Sequence, residues 1–235
     1  MDAAFSPLHV PNTILSLRLI GQAVLLKMVE LATKEGARVI AVNTDGIYCT
    51  GNFNSQSVIN KIKLLFNLDL EEEKYKRVAI STTNYAVLQK EDNTIKRRGN
   101  LSNFNYRNTQ VYPKAITDAV VNQLIHDIPV EQTINNNINI WDFAQMVKVS
   151  NNSVLRDGNG QTYQRVNRII ATNNGVSGLT STEKAKKGLK KAPNVSPDEI
   201  YTICNDMKSI QNLNHSIINK QHYINKANEL VKDFT

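Results

Sequence analysis

The chain has 235 residues, of which 41% are hydrophobic, and its formal net charge is +7. This length and apolar content indicate a globular protein with a sizeable core and exclude a disordered chain. The basic excess favours a polyanionic partner, and the two cysteines, Cys49 and Cys204, are too few for a disulfide framework or a zinc site.

The sequence also bears on the compartment. A low cysteine count makes a reducing environment the default. No apolar run approaches the ~20 residues that a membrane-spanning helix requires, so we expect no membrane partner. The first residues, MDAAFSPLHVPN, lack the basic region and the continuous apolar run of a signal peptide. Together these features predict a cytoplasmic protein.

The first hundred residues alternate helical and strand patterns. Apolar side chains recur every three or four positions over residues 13–35, which predicts a long amphipathic helix. Two short apolar runs, 38–42 and 47–50, flank the polar residues Asn43-Thr44-Asp45-Gly46 and predict a β-hairpin. A helix over 55–66 and three strands, at 78–80, 85–88 and 94–98, follow. Residues 1–100 therefore predict an α+β domain of antiparallel strands and helices.

The composition changes after Gly99. Residues 100–110 are polar and linker-like, so we place a domain boundary there. Helical patterns follow at 113–126, 138–149, 198–210 and 218–234, whereas residues 153–173 have strand-like character and residues 184–191 form a lysine-rich loop. These patterns predict a mostly helical second domain over residues 111–235.

The turn that contains Asp45 has two interpretations. An Asp-Gly pair at the tip of a hairpin is usually a turn device, since glycine accepts positive φ and aspartate tolerates it. A hairpin tip also holds a carboxylate at a defined angle, and Mg²⁺ prefers such hard oxygen ligands. The residues of the turn by themselves leave both interpretations open.

The wider context of this turn resembles a known family. The stretch RLIGQAVLLKMVELATKEGARVIAVNTDGIYCTG is similar to the region of family B DNA polymerases that ends in their third palm motif. In that family a long helix leads into a strand, a D-T-D-S or N-T-D-G turn, and a second strand. The N-T-D-G form resembles that of some phage and mobile-element members. The resemblance implies that Asp45 is a catalytic ligand of two Mg²⁺ ions, with Thr44 and Gly46 as motif neighbours, and Asn43 stands where many members carry aspartate.

A second similarity follows in the same order. Residues 68–99 resemble the family's stretch that carries a K-x-Y motif, a hairpin turn and a K-x-K-G or K-R-G element. The tyrosine corresponds to Tyr85, whereas Thr83 stands at the position of the lysine. The basic element corresponds to Lys96, Arg97, Arg98 and Gly99, which the resemblance places against primer-template phosphates. Without that resemblance, the three cations are typical of a solvated edge strand.

The second half of the chain resembles the family's thumb. Residues 113–143, which end in Trp141-Asp142-Phe143, are similar to the thumb entry, and residues 164–175 resemble a later Q-x-x-x-R element. This similarity implies that Arg168 binds DNA. Lys186 and Lys187, in the lysine-rich loop, would then lie near duplex phosphates, although such a loop is ordinarily just solvated.

The resemblance implies an α+β partial palm over residues 1–100 and a thumb over residues 111–235 of a DNA-directed DNA polymerase. The expected partners are primer-template DNA and deoxynucleoside triphosphates, in the host cytoplasm if the protein is viral. The family's other metal-binding aspartate and its fingers lie in an upstream part, so we expect this chain to be inactive alone. Two alternatives are a non-catalytic nucleic-acid-binding remnant of a polymerase and a metal-dependent nuclease with a lone hairpin carboxylate.

Overall fold

The computed structural model describes residues 11–81, 86–102, 111–151, 153–183, 189–191, 195–196 and 198–234. The chain divides into two compact units, Met1–Lys74 and Tyr75–Thr235. Both units combine helices with antiparallel strands, so the α+β class expected from the sequence is confirmed.

The first unit contains two helices and a hairpin. Helix α1 spans Pro11–Lys34, strand β1 Arg38–Val42, strand β2 Ile47–Thr50 and helix α2 Ser55–Phe66. The two strands pair antiparallel, as the sequence predicts. The side chain of Asn54 caps α2 by accepting a hydrogen bond from the Ser57 amide, and Asn67 ends the helix in a left-handed conformation. The small core of the unit consists of Val24, Met28, Leu31, Ala32, Ala37, Val58 and Ile62.

The second unit begins with a three-stranded sheet. Its strands are β3 Tyr75–Ile80, β4 Ala86–Lys90 and β5 Ile95–Arg98, in the order β3-β4-β5. Two helices come next, α3 Lys114–His126 and α4 Val130–Asn136, and α3 lies against the sheet. A short 3₁₀ turn, Ile140–Phe143, leads from α4 towards the remaining strands.

Two further sheets complete this unit. One sheet has the strand order β12-β9-β6, and the other sheet has the strand order β11-β10-β7-β8. Their strands are β6 Gln145–Lys148, β7 Ser153–Arg156, β8 Thr162–Tyr163, β9 Val166–Val176, β10 Thr180–Glu183, β11 Leu189–Lys191 and β12 Tyr201–Ile203. The chain ends with α5 Met207–Gln211 and α6 Lys220–Lys232.

A buried tyrosine joins three of these elements. The Tyr223 hydroxyl, on α6, accepts a hydrogen bond from the Ala171 amide at 2.8 Å and donates one to the Phe143 carbonyl at 2.9 Å. Its burial raises the pKa of Tyr223 well above the usual range. Because a buried hydroxyl without partners is costly, these two bonds hold α6 against β9 and the 3₁₀ turn.

The structure differs from the sequence prediction in the second half. The described part of residues 111–235 is not mostly helical, since it contains seven strands as well as four helices. Residues 138–149 form a 3₁₀ turn and β6 rather than a helix, and residues 198–210 contain β12 before the short α5. Both β6 and β12 hydrogen-bond to β9, so pairing with a distant strand decides their conformation.

The division between the units also lies upstream of the boundary expected at residues 100–110. It falls between Lys74 and Tyr75, before β3. The physical reason is that Val87 and Leu101 belong to the same core as the residues of α3, and Ile95 packs against that core. Arg77, on β3, further donates to both carboxylate oxygens of Asp127 at the end of α3.

The pairing of β9 with β12 provides a test of the packing in the second unit. A Cβ on Gly175 would overlap the Tyr201 carbonyl oxygen, a backbone atom that cannot move independently. We expect Gly175→Ala to lower the free energy of unfolding of the second unit by about 3 kcal/mol. Urea unfolding followed by Trp141 fluorescence measures this loss. Asn173→Ala, an exposed change on the same strand, is the control, and equal midpoints for the two variants would contradict the predicted clash.

Candidate metal and nucleic-acid site

Asp45 lies at the tip of the β1–β2 hairpin. The strands close with Val42 opposite Ile47, and the Asn43 amide donates to the Gly46 carbonyl at 2.8 Å. Thr44 and Asp45 form the exposed tip of this turn, whereas Asn43 is partly buried. The turn therefore presents the Asp45 carboxylate to solvent on a backbone that the two strands hold in place.

The glycine of this turn does not have the role expected from the sequence. Gly46 does not adopt a positive φ, and a Cβ at this position would meet nothing within 4 Å. The hairpin thus does not depend on the conformational freedom of glycine, which corrects the turn-device argument for this position. A side chain at position 46 would therefore extend into open space.

Two other observations bear on the chemistry of the hairpin. Burial raises the pKa of the Cys49 thiol on β2, and Cys49 packs against the core of the first unit, so its thiolate is disfavoured. Within the described ranges, no three His, Cys, Asp or Glu side chains lie close enough together to hold a metal ion. Mg²⁺ is commonly held by one or two carboxylates together with water and substrate phosphates. The Asp45 carboxylate is suited to be one protein ligand in a Mg²⁺ site of this kind.

The register of β5 divides the three cations that the sequence singled out. Lys96 pairs with Leu88 and Arg98 with Ala86, whereas Arg97 pairs with Val87, in the core shared with α3. Lys96 and Arg98 therefore share one face of the sheet and Arg97 lies on the other, which confirms the alternation expected for a strand. Arg98 is exposed and Lys96 is partly buried.

Arg97 is committed to a contact within the protein. Its Nη1 lies 2.7 Å from Oδ1 of Asp118 on α3, and the two side chains are only 20% and 25% exposed. Lys114 binds the other oxygen of Asp118 at 3.1 Å and also reaches Asp142 at 3.0 Å. Although partial burial acts against it, hydrogen bonding to Asp142 and Asp118 raises the pKa of Lys114 above its usual range. A chain of alternating charges thus runs from β5 through α3 to the 3₁₀ turn.

The sequence did not indicate these acidic partners. The spacing of four residues between Lys114 and Asp118 on one helix is a signal that could have been read. The pairing of Arg97 with Asp118, and of Lys114 with Asp142, spans 21 and 28 residues and has no local signature.

Two residues from the segments that resemble the family's thumb contact each other. The Arg168 guanidinium lies over the Trp141 ring, with Cζ 5.2 Å from the ring centroid. Arg168 belongs to β9 and Trp141 to the 3₁₀ turn, and both side chains are partly exposed.

Gly99 is exposed and has a φ of 68° at the start of a 3₁₀ turn directly after β5. Tyr85, Lys186 and Lys187 lie outside the described residues.

A separate cavity of about 660 Å³ lies in the second unit, beside α3 and α6. None of the residues that the sequence singled out lines it. Its polar side chains include Glu229 and Asp233 as well as Lys226, which is paired with Glu229 at 3.0 Å. Two carboxylates against one lysine do not favour a polyanionic ligand here, so the cavity has no evident relation to nucleic-acid binding.

Comparisons of the chain with protein-family models, with curated proteins and with solved structures found no match. Across the described helices, none combines the length and the apolar character needed to cross a lipid bilayer. The indications of function therefore come from the chemistry and placement of the residues of this chain.

The Arg97–Asp118 pair predicts a stability difference between neighbouring cations. We expect Arg97→Ala to lower the free energy of unfolding by about 1 kcal/mol, because it removes a partly buried, charge-assisted hydrogen bond. The exposed control Arg98→Ala should change it by less than about 0.5 kcal/mol. Urea unfolding of both variants, with Asp118→Ala and the double variant to complete a thermodynamic cycle, measures the coupling. Additive losses at positions 97 and 118 would show that the pair contributes nothing.

Proposed function

We propose that this chain is the C-terminal palm and thumb portion of a family B DNA polymerase and takes part in DNA-directed DNA synthesis. The observation that carries the proposal is the exposed carboxylate of Asp45 at the tip of an antiparallel hairpin, directly after a long helix. This arrangement of helix, strand, N-T-D-G turn and strand is the one that the resemblance to the third palm motif implies.

The proposed reaction is nucleotidyl transfer. The primer 3′-oxygen forms a bond to the α-phosphorus of a deoxynucleoside triphosphate, the bond to the bridging oxygen breaks, pyrophosphate leaves and the hydroxyl proton passes to solvent. Two bound Mg²⁺ ions would ease formation of the attacking alkoxide and stabilise charge on the phosphate oxygens. Asp45 would supply one carboxylate ligand, and the open space beside Gly46 leaves room for substrate phosphates.

The surface of α1 supports the need for a further polypeptide. Val24, Met28 and Leu31 face the core of the first unit, whereas Leu15, Leu19 and Leu26, on the opposite side of the helix, are 58%, 56% and 72% exposed. A helix that is apolar on opposite faces is normally buried on both. This pattern favours a partner segment that covers the second face, and we propose that it carries the first palm motif and the fingers.

A DNA-binding remnant without catalysis is the second candidate. Asn43 stands where many family members carry an acidic residue, so the turn holds one negative charge fewer than theirs. The remaining cations still favour contacts to phosphate. Reconstitution with the upstream portion separates the two functions, since only the polymerase extends a primer.

The first test removes the Asp45 carboxylate. In an enzyme reconstituted by co-expression with the upstream polymerase portion, we expect Asp45→Ala to abolish primer extension while duplex binding persists, because only the metal ligand is lost. Glu72→Ala removes an exposed carboxylate of the same unit outside the hairpin and should leave extension unchanged. Primer-extension and fluorescence-anisotropy assays measure the two properties. Near-normal extension by Asp45→Ala would refute the metal-ligand role.

The second test concerns DNA binding by the chain alone. We expect weak binding of primer-template duplexes regardless of sequence, a steep loss of affinity with added salt, and no extension. Lys96→Ala and Arg98→Ala should each lower the salt slope by about one, as expected for one lost phosphate contact. Arg97→Ala should change it less, because its charge is paired with Asp118. Salt-independent binding, or equal small effects at all three positions, would contradict these phosphate contacts.

A further inference from the structure

The stack of Arg168 on Trp141 leaves the donors of the arginine available. Its Cζ lies 5.2 Å from the indole centroid, and the side chains of both residues are partly exposed. Among the described residues, no carboxylate or carbonyl oxygen accepts a hydrogen bond from this guanidinium. The Asp206 carboxylate, beyond β12, accepts hydrogen bonds from the Ser209 amide and hydroxyl at 2.7 and 2.9 Å.

Hydrogen bonds hold the backbone of the turn that carries Trp141. The Asn139 side chain accepts a hydrogen bond from the Trp141 amide at 3.2 Å. The next residue, Asp142, is 5% exposed and accepts hydrogen bonds from Lys114 at 3.0 Å and from Asn139 at 2.9 Å. The turn is thus anchored to α3 on one side, and Arg168 is anchored opposite Met146 in the sheet on the other. The backbone at both members of the stack is therefore held in place, which lowers the entropy cost of presenting the guanidinium to a ligand.

A second cation lies on the same face of the sheet. Lys148 pairs with Val166 and Met146 with Arg168, so Lys148 and Arg168 are diagonal neighbours on adjacent strands, about 7–8 Å apart at their Cα atoms. Lys148 is exposed and makes no ion pair with a described residue. A stacked arginine beside an uncompensated lysine is suited to phosphate, because a guanidinium binds its oxygens through paired donors and an ammonium adds a point charge.

We propose that Trp141, Arg168 and Lys148 form a phosphate-binding platform for a nucleic-acid backbone. Arg168 and Lys148 contact phosphates, and Trp141 is a positioning residue that holds the guanidinium in place. The platform rests on the proposed function, because it takes DNA as its ligand. It adds a backbone contact that grips the duplex without reading its bases.

The single tryptophan of the chain makes the platform directly observable. The experiment titrates the full chain with a labelled primer-template duplex at low salt and records label anisotropy and Trp141 emission together. Anisotropy reports binding anywhere on the chain, whereas the emission reports events at the platform. We expect the emission to change and to saturate at the same dissociation constant as the anisotropy.

Substitutions then separate charge from positioning. Arg168→Ala and Lys148→Ala should each lower the salt slope by about one and weaken binding similarly for every duplex sequence. Arg168→Lys should keep the slope but weaken binding, because the stacked planar donors are lost. Trp141→Leu should weaken binding in the native background and have little effect in the Arg168→Ala background. Lys34→Ala, at an exposed lysine paired with Glu30 in the first unit, is the control and should leave the slope unchanged.

The outcomes distinguish failure of the platform from failure of the proposed function. Duplex binding by anisotropy with unchanged Trp141 emission, and with no effect of Arg168→Ala, would overturn the platform and leave DNA binding in place. Additive losses in Trp141→Leu and Arg168→Ala would overturn the positioning role. Absence of any binding by anisotropy would overturn both. Circular dichroism identifies the folded variants. If Trp141→Leu does not fold, the change in Trp141 emission of the native protein and the affinity of Arg168→Lys still test the platform.

Discussion

Asp142 brings a carboxylate into the interior of the second unit, and the donors around it determine much of the local structure. A buried carboxylate is tolerated only when hydrogen bonds and opposite charges compensate for its lost hydration. Lys114 on α3 and the side chains of Asn137 and Asn139 provide that compensation. As a result, the 3₁₀ turn is bound to α3, Lys114 is held where it also reaches Asp118, and Asp118 in turn holds Arg97. The position of Trp141, one residue before Asp142, follows from the same set of contacts.

This charge network also decides which cations are available to a nucleic acid. The net charge of +7 counts every lysine and arginine equally, yet Arg97 and Lys114 form ion pairs with carboxylates of the same chain. Arg98, Lys148 and Arg168 have no such partner among the described residues. In the proposed function, a cation already paired with a carboxylate contributes less to counterion release than an unpaired one, so affinity for DNA would not follow the total charge.

The first unit has a different constraint, since its apolar surface exceeds what its own core can cover. The two-stranded hairpin and α2 bury one side of α1, while leucines on the opposite side remain exposed. The hairpin that carries Asp45 lies in this same unit. A catalytic carboxylate on a hairpin is useful only when its backbone is rigid and when other ligands reach the same metal ions. The partner segment that the proposed function requires would meet both needs at once.

The sequence by itself determined the elements whose signals are local. The β1–β2 hairpin and α2 begin and end where the sequence predicts, and α3 and α6 lie within two residues of their predicted bounds. Apolar periodicity, caps and a short polar turn between two apolar runs are properties of neighbouring residues. The opposite faces of Lys96 and Arg97 likewise follow from the period of a strand.

Tertiary structure decided what depends on distant partners. Residues 140–148 and 198–211 form a turn, strands and one short helix, since β9 supplies hydrogen-bond partners that no local pattern reveals. The commitment of Arg97 to Asp118, the stack of Arg168 on Trp141 and the open space at Gly46 were equally invisible in the sequence. The sequence singled out Asp45 only through a resemblance of its surrounding motif, whereas whether a cation is paired depends on which carboxylate the fold brings within reach.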